Sequence, residues 1–292
     1  MGRDLSDAFP EAKHVFEEAD DVLGQPLSKI MWEGPEDELT RTHNAQPAIL
    51  VHSIAVHRVV AARLSSVGFG AGHSLGEFSA YVAAGTLQFA DAVRTVRRRG
   101  ELMFRAGQER PGTMAAVLGL DDGPLEQACS AASAQGGECV IANYNSPGQL
   151  VISGDNPTVQ IAMDLAKEAG AKRAIQLNVS GAFHSPLMAP AEAGLQAQLS
   201  DVAFEPPRFP VVSNVTAKAV SDVVNARRLL VQQLTSPVRW TACIRTMIDN
   251  GVNEFIEMGP GNVLTGLMKR IEKSASARAI GTAAEVEAWL KR

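Results

Sequence analysis

A G-x-S-x-G segment at residues 72–76 is the first part of the sequence whose residues could do chemistry. Small residues on either side of Ser74 permit a sharp turn from a strand into a helix, which lifts the serine hydroxyl out of the backbone. The first N–H groups of that helix would face an oxyanion developing on a substrate carbonyl. A serine that only caps a helix in a glycine-rich turn gives the same pattern, so nucleophile and cap remain alternatives.

A serine nucleophile needs a base, and histidine is the usual one. His73 is adjacent to Ser74, but neighbouring side chains on an extended chain point to opposite faces, so it is not expected to take the serine proton. His184 lies in the loop segment SGAFHSPLM, which leaves a small domain and could reach a cleft. The sequence therefore favours His184 as the base. Packing or surface roles are expected for the other histidines, which are His14, His43, His52 and His57.

The segments that must position these residues indicate an α/β protein. Apolar residues recur at helical spacing over residues 9–23, and a second helix, about residues 46–64, is apolar around much of its circumference. Between residues 113 and 178 the order is strand, helix, strand, strand, helix, strand, which is typical of a ferredoxin-like domain. Short buried strands in PVVSNV and EFIEMGP, separated by helices, predict a parallel sheet in the remainder.

We therefore predict a large α/β-hydrolase-like domain with a parallel sheet, residues 1–110 and 181–292, into which a small ferredoxin-like domain, residues 111–180, is inserted. The chain has 292 residues, of which 46% are hydrophobic and 20% charged, so it can bury a large core. Its net charge of -5 gives no global basic field, which argues against nonspecific nucleic-acid binding and against a role on anionic membranes.

Cysteine usage and hydropathy point to the cytoplasm. Three cysteines without CxxC spacing argue against a disulfide framework and a structural zinc site. We find no run of roughly 18 apolar residues that would span a membrane, and the acidic start is unlike a signal peptide. With no metal-ligand spacing and no dinucleotide fingerprint, we expect no metal and no bound cofactor.

Six further segments, spread over nearly the whole chain, occur in a recognisable order: GHSLGEFSAYVAAG, RRGELM, NYNSPGQLVISG, FHSPLM, SPVRW and EMGPGNVLTGL. Their order and spacing resemble malonyl-CoA:acyl-carrier-protein transacylases, a family similar to the acyltransferase domains of polyketide and fatty-acid synthases. The resemblance implies that Ser74 takes the malonyl group from malonyl-CoA while His184 takes and returns the proton. The group then passes to the phosphopantetheine thiol of acyl carrier protein, in ping-pong chemistry. The resemblance also implies a monomer.

Two backbone roles follow from the same resemblance. The main-chain carbonyl oxygen of Gln233 would orient His184 in place of an aspartate, and the main-chain N–H of Leu75 would form half of an oxyanion hole. Members of the family begin with a buried strand and a loop of the form FPGQGSQ, which supplies the other half. This sequence begins at the later stretch MGRDL. We expect that its start was assigned at an internal methionine, the alternative being a shortened, weak homologue.

Arg99 matches the position of the family's carboxylate clamp. A planar guanidinium holds a carboxylate through two parallel hydrogen bonds, which would select malonyl over acetyl groups. Without the resemblance, Arg99 is one of several arginines on one predicted helix, and such arginines are mostly solvated. Arg97 and Glu101 are spaced for a surface ion pair on that helix.

The resemblance places four more residues around the substrate. Phe183 has bulk that would crowd an α-methyl branch, worth ~1 to 3 kcal/mol, so malonyl is preferred over methylmalonyl. Gln46, Asn143 and His73 match positions that line the cleft. An aromatic side chain in a loop, a turn-forming asparagine and a glutamine at the start of a helix need no function, so packing roles are the alternative.

Two rival functions remain at this stage. A serine hydrolase or thioesterase would share Ser74 and His184 but has no use for Arg99. A non-catalytic carrier-binding module would use neither. Because acyl carrier protein is acidic, either carrier-binding function predicts a local basic surface, with ordinary solubilising charges as the alternative. The candidates for that surface are Lys172, Arg173, Lys269, Arg270 and Lys273.

Overall fold

The computed structural model describes residues 1–64 and 66–291, and these form a mixed α/β protein, which confirms the predicted class. The amino-terminal third is helical. Its second helix buries Val15, Phe16 and Ala19 on one face and ends at Gly24, whose φ of 61° lies in the left-handed region that glycine adopts readily. The helices of this third are α1 (Arg3–Ala8), α2 (Pro10–Leu23), α3 (Leu27–Glu33), α4 (Glu36–Thr40), α5 (Thr42–Val60), α6 (Gly76–Ala83) and α7 (Phe89–Glu109).

Helix α5 is the central helix of the larger core. It packs against α2 and α7 and buries side chains around most of its circumference, as its apolar sequence predicts. Together with the 3-10 turn Ala61–Arg63, it is long and apolar enough to cross a membrane by length and composition. The helix contains no continuous run of 18 apolar residues, because His52, Ser53 and Arg58 interrupt it, so the sequence expectation of no such run stands. Its apolar character is accounted for by burial inside the protein, where 61% of the tested window is covered.

The middle of the chain forms a four-stranded antiparallel sheet with the strand order β3-β4-β2-β5. The element order is β2 (Thr113–Leu118), α8 (Asp122–Ser133), β3 (Cys139–Ser146), β4 (Gln149–Gly154), α9 (Asn156–Glu168) and β5 (Arg173–Gln176). Both helices contribute to one apolar cluster with the strands, separate from the larger core. The domain division at residues 111 and 180 remains our proposal.

Short parallel strands lie at the centre of the rest of the chain. Strand β1 (Gly70–Ala71) pairs in parallel with β6 (Val211–Val212), and β8 (Glu254–Met258) pairs in parallel with β9 (Ser276–Ile280). Strand β7 (Ala219–Val220) pairs antiparallel to β6, so one antiparallel strand that was not predicted lies at the edge of the parallel pair. The link between β6 and β7 is a tight turn, and a link that short can only reverse the chain direction.

Helices in the last third cover these strands and return the chain to the small sheet. Strand β3 contacts the segment SPVRW, because Tyr144 N–H donates to the Val238 carbonyl oxygen at 2.9 Å and Val238 N–H donates to that of Ala142 at 2.8 Å. The small sheet is thereby fixed beside the nucleophile segment. The helices are α10 (Ala189–Ser200), α11 (Val223–Gln232), α12 (Trp240–Asp249), α13 (Val263–Ile271) and α14 (Ala283–Leu290), with a 3-10 turn at Pro186–Met188.

Candidate active site

Ser74 lies in the sharp turn between β1 and α6, as the G-x-S-x-G pattern predicts. Its φ of 51° is in the left-handed region, which costs a residue other than glycine of order 1–3 kcal/mol. A Cβ atom on Gly72 would lie 1.9 Å from the backbone carbon of Gly76, so no larger residue fits at position 72. A Cβ atom on Gly76 would meet nothing within 4 Å. The turn therefore requires the first glycine of the motif, and sterics do not require the second.

The strained turn is held by Asn214, which directly follows the β6 region. Its side-chain oxygen accepts the Ser74 N–H at 2.7 Å, and its side-chain nitrogen donates to the Gly72 carbonyl oxygen at 2.8 Å. One buried amide thus fixes the backbone that enters the serine, and the Gln233 side chain fixes the far side by donating to the Ser74 carbonyl oxygen at 3.0 Å. Sequence reasoning missed Asn214. The available signal was its place at the carboxyl end of a strand that pairs in parallel with β1, because such strand ends meet at one edge of a sheet.

His184 reaches Ser74 from the loop after β5. Its Nε2 is 2.8 Å from Ser74 Oγ, and its Nδ1 is 2.9 Å from the main-chain oxygen of Gln233. A carbonyl oxygen only accepts, so Nδ1 carries the hydrogen and Nε2 is free to take the serine proton. Like Ser74, His184 has a positive φ, 57°. This pair has the geometry of a nucleophile and its base, oriented by a backbone oxygen.

The imidazole of His184 is neutral over the physiological range. Its side chain is 4% exposed, and burial, followed by the positive charge of Arg99, lowers its pKa to about 3. In the unfolded chain a histidine binds its proton near pH 6.5. The unfolded state therefore binds more protons below pH 6.5, and the stability of the folded state falls as the pH drops through that window.

We expect this linkage to appear in a comparison of wild type with His184→Gln. Between pH 6.5 and pH 5, the free energy of unfolding of wild type should fall by about 2 kcal/mol more than that of the variant. Denaturant unfolding followed by circular dichroism at the two pH values measures both slopes. His52, whose pKa burial lowers to about 4, is present in both proteins and cancels from the difference. Equal slopes would contradict a buried neutral His184.

The side chain of Arg99 extends from α7 to the Ser74 hydroxyl, and the residue is 1% exposed. It donates to Ser74 Oγ at 3.1 Å, to the side-chain oxygen of Gln233 at 2.9 Å and to that of Gln46 at 2.5 Å. Burial lowers the pKa of Arg99 to about 10, so the guanidinium stays charged at neutral pH. All three acceptors are neutral. A buried charge without a direct counter-ion is costly, and an incoming carboxylate would relieve that cost.

Close packing of two helices brings Arg99 to this position. A Cβ atom on Gly100 would lie 2.6 Å from the His43 Cα. The absence of a side chain at Gly100 therefore lets α7 pack closely against the start of α5. The solvated alternative is wrong for Arg99. Its neighbour Arg97 pairs with Glu101 at 2.9 Å as the spacing predicts, but it is partly buried and also donates to the Asn44 side chain at 2.6 Å.

The other predicted site residues take different places. No acceptor among the described residues takes the main-chain N–H of Leu75, which leaves it available for an oxyanion. His73 is turned away from Ser74 and bonds to Asn145 through Nε2 at 2.8 Å, so Asn145 is a neighbour that the sequence did not single out. Phe183 is half-buried between the larger core and the small sheet. Asn143 is buried within β3, and its role in the cleft remains a prediction.

Glu77 is a second residue that sequence reasoning missed. It lies in the first turn of α6, is fully buried, and accepts hydrogen bonds from Asn214 N–H at 3.0 Å and from the Gln233 side chain at 2.7 Å. Burial raises its pKa to about 7. A fully buried carboxylate within a few residues of a nucleophile is characteristic of functional sites.

Together these groups can perform one kind of chemistry. A serine with a neutral histidine base, a free main-chain donor and a buried guanidinium suits nucleophilic attack on a carbonyl that carries a nearby negative group. The arrangement brings together Ser74, His184, Gln233, Leu75, Arg99 and Gln46.

Comparison with known proteins agrees over nearly the whole chain. Residues 1–289 match the family described as acyl transferase domain. A malonyl CoA-acyl carrier protein transacylase of Bacillus subtilis (strain 168) is 46% identical over 287 residues, 98% of this chain and 90% of the relative. Its counterpart in Escherichia coli (strain K12) is 42% identical over 292 residues, 100% of this chain and 94% of the relative.

Solved structures give the same picture. An acyl carrier protein S-malonyltransferase from Vibrio cholerae superposes with a TM-score of 0.95 and 43% identity, covering 99% of this chain and 94% of that one. A malonyl-transacylase solved in complex with a type II PKS acyl-carrier protein has a TM-score of 0.96 and 43% identity, covering 100% and 94%. The similarity therefore includes both the small sheet and the nucleophile turn.

Proposed function

The chain belongs to the acyl transferase family, among its malonyl-CoA:acyl-carrier-protein transacylases, and from this premise we propose that its substrates are malonyl-CoA and acyl carrier protein. The enzyme transfers a malonyl group from the CoA thioester to the phosphopantetheine thiol of the carrier, through an ester on Ser74. This reaction supplies malonyl thioester for fatty-acid or polyketide synthesis. The protein acts as a cytoplasmic monomer, without nucleic acid or membrane.

One observation carries the choice of acyl group. The hydroxyl oxygen of Ser74 contacts both the His184 base, at 2.8 Å, and the buried guanidinium of Arg99, at 3.1 Å. An acyl group attached to that oxygen would bring a terminal carboxylate within reach of Arg99. An acetyl group would leave the buried charge unpaired. Arg99 therefore favours malonyl by the electrostatic complementarity that charged pockets use.

The reaction follows from these contacts in two half-reactions. His184 Nε2 takes the hydroxyl proton as Ser74 Oγ bonds to the thioester carbon, and Leu75 N–H donates to the resulting oxyanion. The carbon–sulfur bond then breaks, and His184 returns the proton to the CoA sulfur. The carrier thiol attacks the malonyl ester by the same steps in reverse, with His184 taking the thiol proton and returning it to Ser74.

A serine hydrolase would use the same pair of residues, so the test compares the two fates of the acyl group. Purified protein is incubated with malonyl-CoA, with and without holo acyl carrier protein, and both malonyl-carrier and free malonate are measured. The proposal predicts rapid carrier loading and slow malonate release. Fast malonate release that the carrier does not suppress would favour the hydrolase. No loading and no release would leave the carrier-binding module.

Two of the candidate docking residues, Lys172 and Arg270, lie around the turn between β3 and β4. Arg270, near the end of α13, donates to the Gln149 side chain at 2.9 Å. Gly119 N–H donates to the carbonyl oxygen of Gly148, next to Gln149, at 2.8 Å. A Cβ atom on Gly119 would lie 2.7 Å from Lys172 Cγ, so Lys172 borders the same turn. Lys172, directly before β5, and Arg270, in α13, thus border the same turn, and two basic groups there suit an acidic carrier.

Reversing two of these charges, Lys172→Glu with Arg270→Glu, should raise the apparent KM for carrier by about 3- to 10-fold. The KM for malonyl-CoA should stay unchanged, because that substrate is recognised at Arg99. Initial rates at varied carrier and fixed malonyl-CoA measure the effect. The control is Lys13→Glu with Lys29→Glu, which makes the same charge change on α2 and α3. If both double variants raised the KM for carrier equally, or if neither changed it, the proposed docking surface would be refuted.

A further inference from the structure

Glu77 is a buried carboxylate that the transfer reaction does not use. One of its oxygens, Oε2, accepts the two hydrogen bonds from Asn214 and Gln233. The other, Oε1, is buried and has no hydrogen-bond partner among the described residues. An ionised carboxylate with one oxygen unsatisfied is held at a high cost in free energy. A favourable interaction elsewhere in the site must therefore offset the cost of this buried charge.

The positive charge of Arg99 supplies that interaction. Arg99 forms no salt bridge within the described chain, and its three hydrogen-bond acceptors are neutral. Glu77 is one amide away. The Gln233 side chain donates to Glu77 at 2.7 Å through Nε2 and accepts from Arg99 at 2.9 Å through Oε1. The two buried charges are thus joined through a single polarised amide, and each lowers the cost of the other.

The other buried titratable groups near Glu77 carry no charge at neutral pH, and the charged Asp222 and Arg239, which face Tyr81 and Cys243, are exposed to solvent. Tyr81, on the same helix, and Cys243, on α12, both have a pKa raised by burial and by the negative charge of Glu77. His184, in the loop beyond β5, has a pKa of about 3 and is neutral. Charge in this part of the core therefore consists of Glu77 and Arg99.

We propose that Glu77 is the internal counter-charge of Arg99 and that the malonyl carboxylate replaces it, so that malonyl binding is coupled to protonation of Glu77. The proposal rests on the malonyl-transfer function above. The single positive charge of the buried Arg99 guanidinium can balance only one carboxylate. When a second carboxylate arrives, the two negative charges repel, and Glu77 takes a proton from solvent. Glu77 is then a positioning residue that tunes malonyl affinity through Arg99.

The sign of the pH effect follows from this exchange. Without substrate, burial holds the pKa of Glu77 at about 7, and the malonyl carboxylate raises it further. Below pH 7, Glu77 is already protonated and binding needs no proton. Above pH 7, each binding event must take one up, so malonyl affinity falls, by up to about tenfold per pH unit. Acetyl-CoA has no carboxylate and should show no such dependence.

The test uses Ser74→Ala protein, in which ligands bind without turnover. Calorimetry of malonyl-CoA binding at pH 8, in two buffers with different heats of ionisation, counts the protons taken up. We expect uptake approaching about one proton for malonyl-CoA and none for acetyl-CoA, which shares the CoA portion. Adding Glu77→Gln, which keeps the acceptor oxygen but not the charge, should abolish the uptake. It should also make malonyl affinity independent of pH between 6.5 and 8.5.

The outcomes separate this inference from the proposed function. Equal proton uptake for malonyl-CoA and acetyl-CoA would overturn the role of Glu77, while malonyl transfer by wild type would still stand. This comparison needs no change at Glu77, so a Glu77→Gln variant that fails to fold would not prevent the decision. Proton uptake that survives in a folded Glu77→Gln variant would also overturn it. Absence of malonyl transfer by wild type would instead refute the function.

Discussion

Replacing Ser74 with alanine should reduce malonyl transfer to acyl carrier protein by about 10⁴-fold or more. The change removes the atom that His184 activates and that carries the acyl group, and His73 bonds to Asn145 instead of taking its place. Malonyl-CoA should still bind, because Arg99 and Gln46 remain in place. Rates are measured as malonyl-carrier formed per enzyme, with binding measured separately by calorimetry.

Ser79→Ala is the matched control for this prediction. Ser79 lies on the same helix, α6, and none of the hydrogen bonds that build the site involves its hydroxyl. Its replacement should change the rate by less than about threefold, because its hydroxyl makes no hydrogen bond in the described structure. If Ser74→Ala retained more than a hundredth of wild-type activity while remaining folded, Ser74 would not be the nucleophile.

Replacing Arg99 with alanine should remove the preference for malonyl over acetyl. Loss of a buried charge partner costs about 2–5 kcal/mol, which corresponds to a roughly 30- to 5,000-fold lower kcat/KM for malonyl-CoA. Acetyl-CoA makes no ion pair with Arg99, so its kcat/KM should fall much less. The ratio of the two kcat/KM values is the readout, because it cancels any general damage to the Ser74 environment.

Two variants sharpen the test of Arg99. Arg98→Ala removes a partly exposed neighbour that pairs with Glu101 on the protein surface, and it should preserve the malonyl preference. Arg99→Lys keeps a positive charge but loses the planar fork, so it should fall between wild type and Arg99→Ala. A malonyl preference that survives in Arg99→Ala would show that another group recognises the carboxylate.

Strain is shared by the two reacting residues. Ser74 and His184 both have φ in the left-handed region, at 51° and 57°. The Asn214 side chain holds Ser74 through the backbone that precedes it, and the main-chain oxygen of Gln233 holds His184 through its ring. Positions of this kind persist where surrounding contacts over-determine the backbone, which is common at active sites. The hydroxyl and imidazole are therefore placed before substrate arrives.

Much of the fold and part of the site could be predicted from the sequence, for local reasons. The end of α2 at Gly24 and the element order from β2 to β5 follow from periodicity and turn residues over a few positions. The turn at Ser74 follows from the glycine pattern, of which Gly72 is sterically required. The antiparallel β7 was missed because a strand of two residues carries no period.

Residues brought in from a distance were predicted less well. Gln233 orients His184 through its backbone oxygen, which every residue has, so only the family resemblance could identify it. Asn214 and Glu77 contact one another across 137 positions, and nothing in the sequence near either residue indicates the other. The charge of Arg99 was visible, but its burial depends on the packing of α7 over Gly100. Such contacts are properties of the tertiary fold.

The central claim is that Ser74 carries the malonyl group between the two thiols. Intact-mass spectrometry of the protein after brief incubation with malonyl-CoA, followed by peptide mapping, tests it most directly. We expect the mass increment of one malonyl group, located on Ser74, and its disappearance when holo acyl carrier protein is added, with malonyl-carrier formed in equal amount. No covalent adduct, or an adduct on another residue that the carrier does not discharge, would contradict the account.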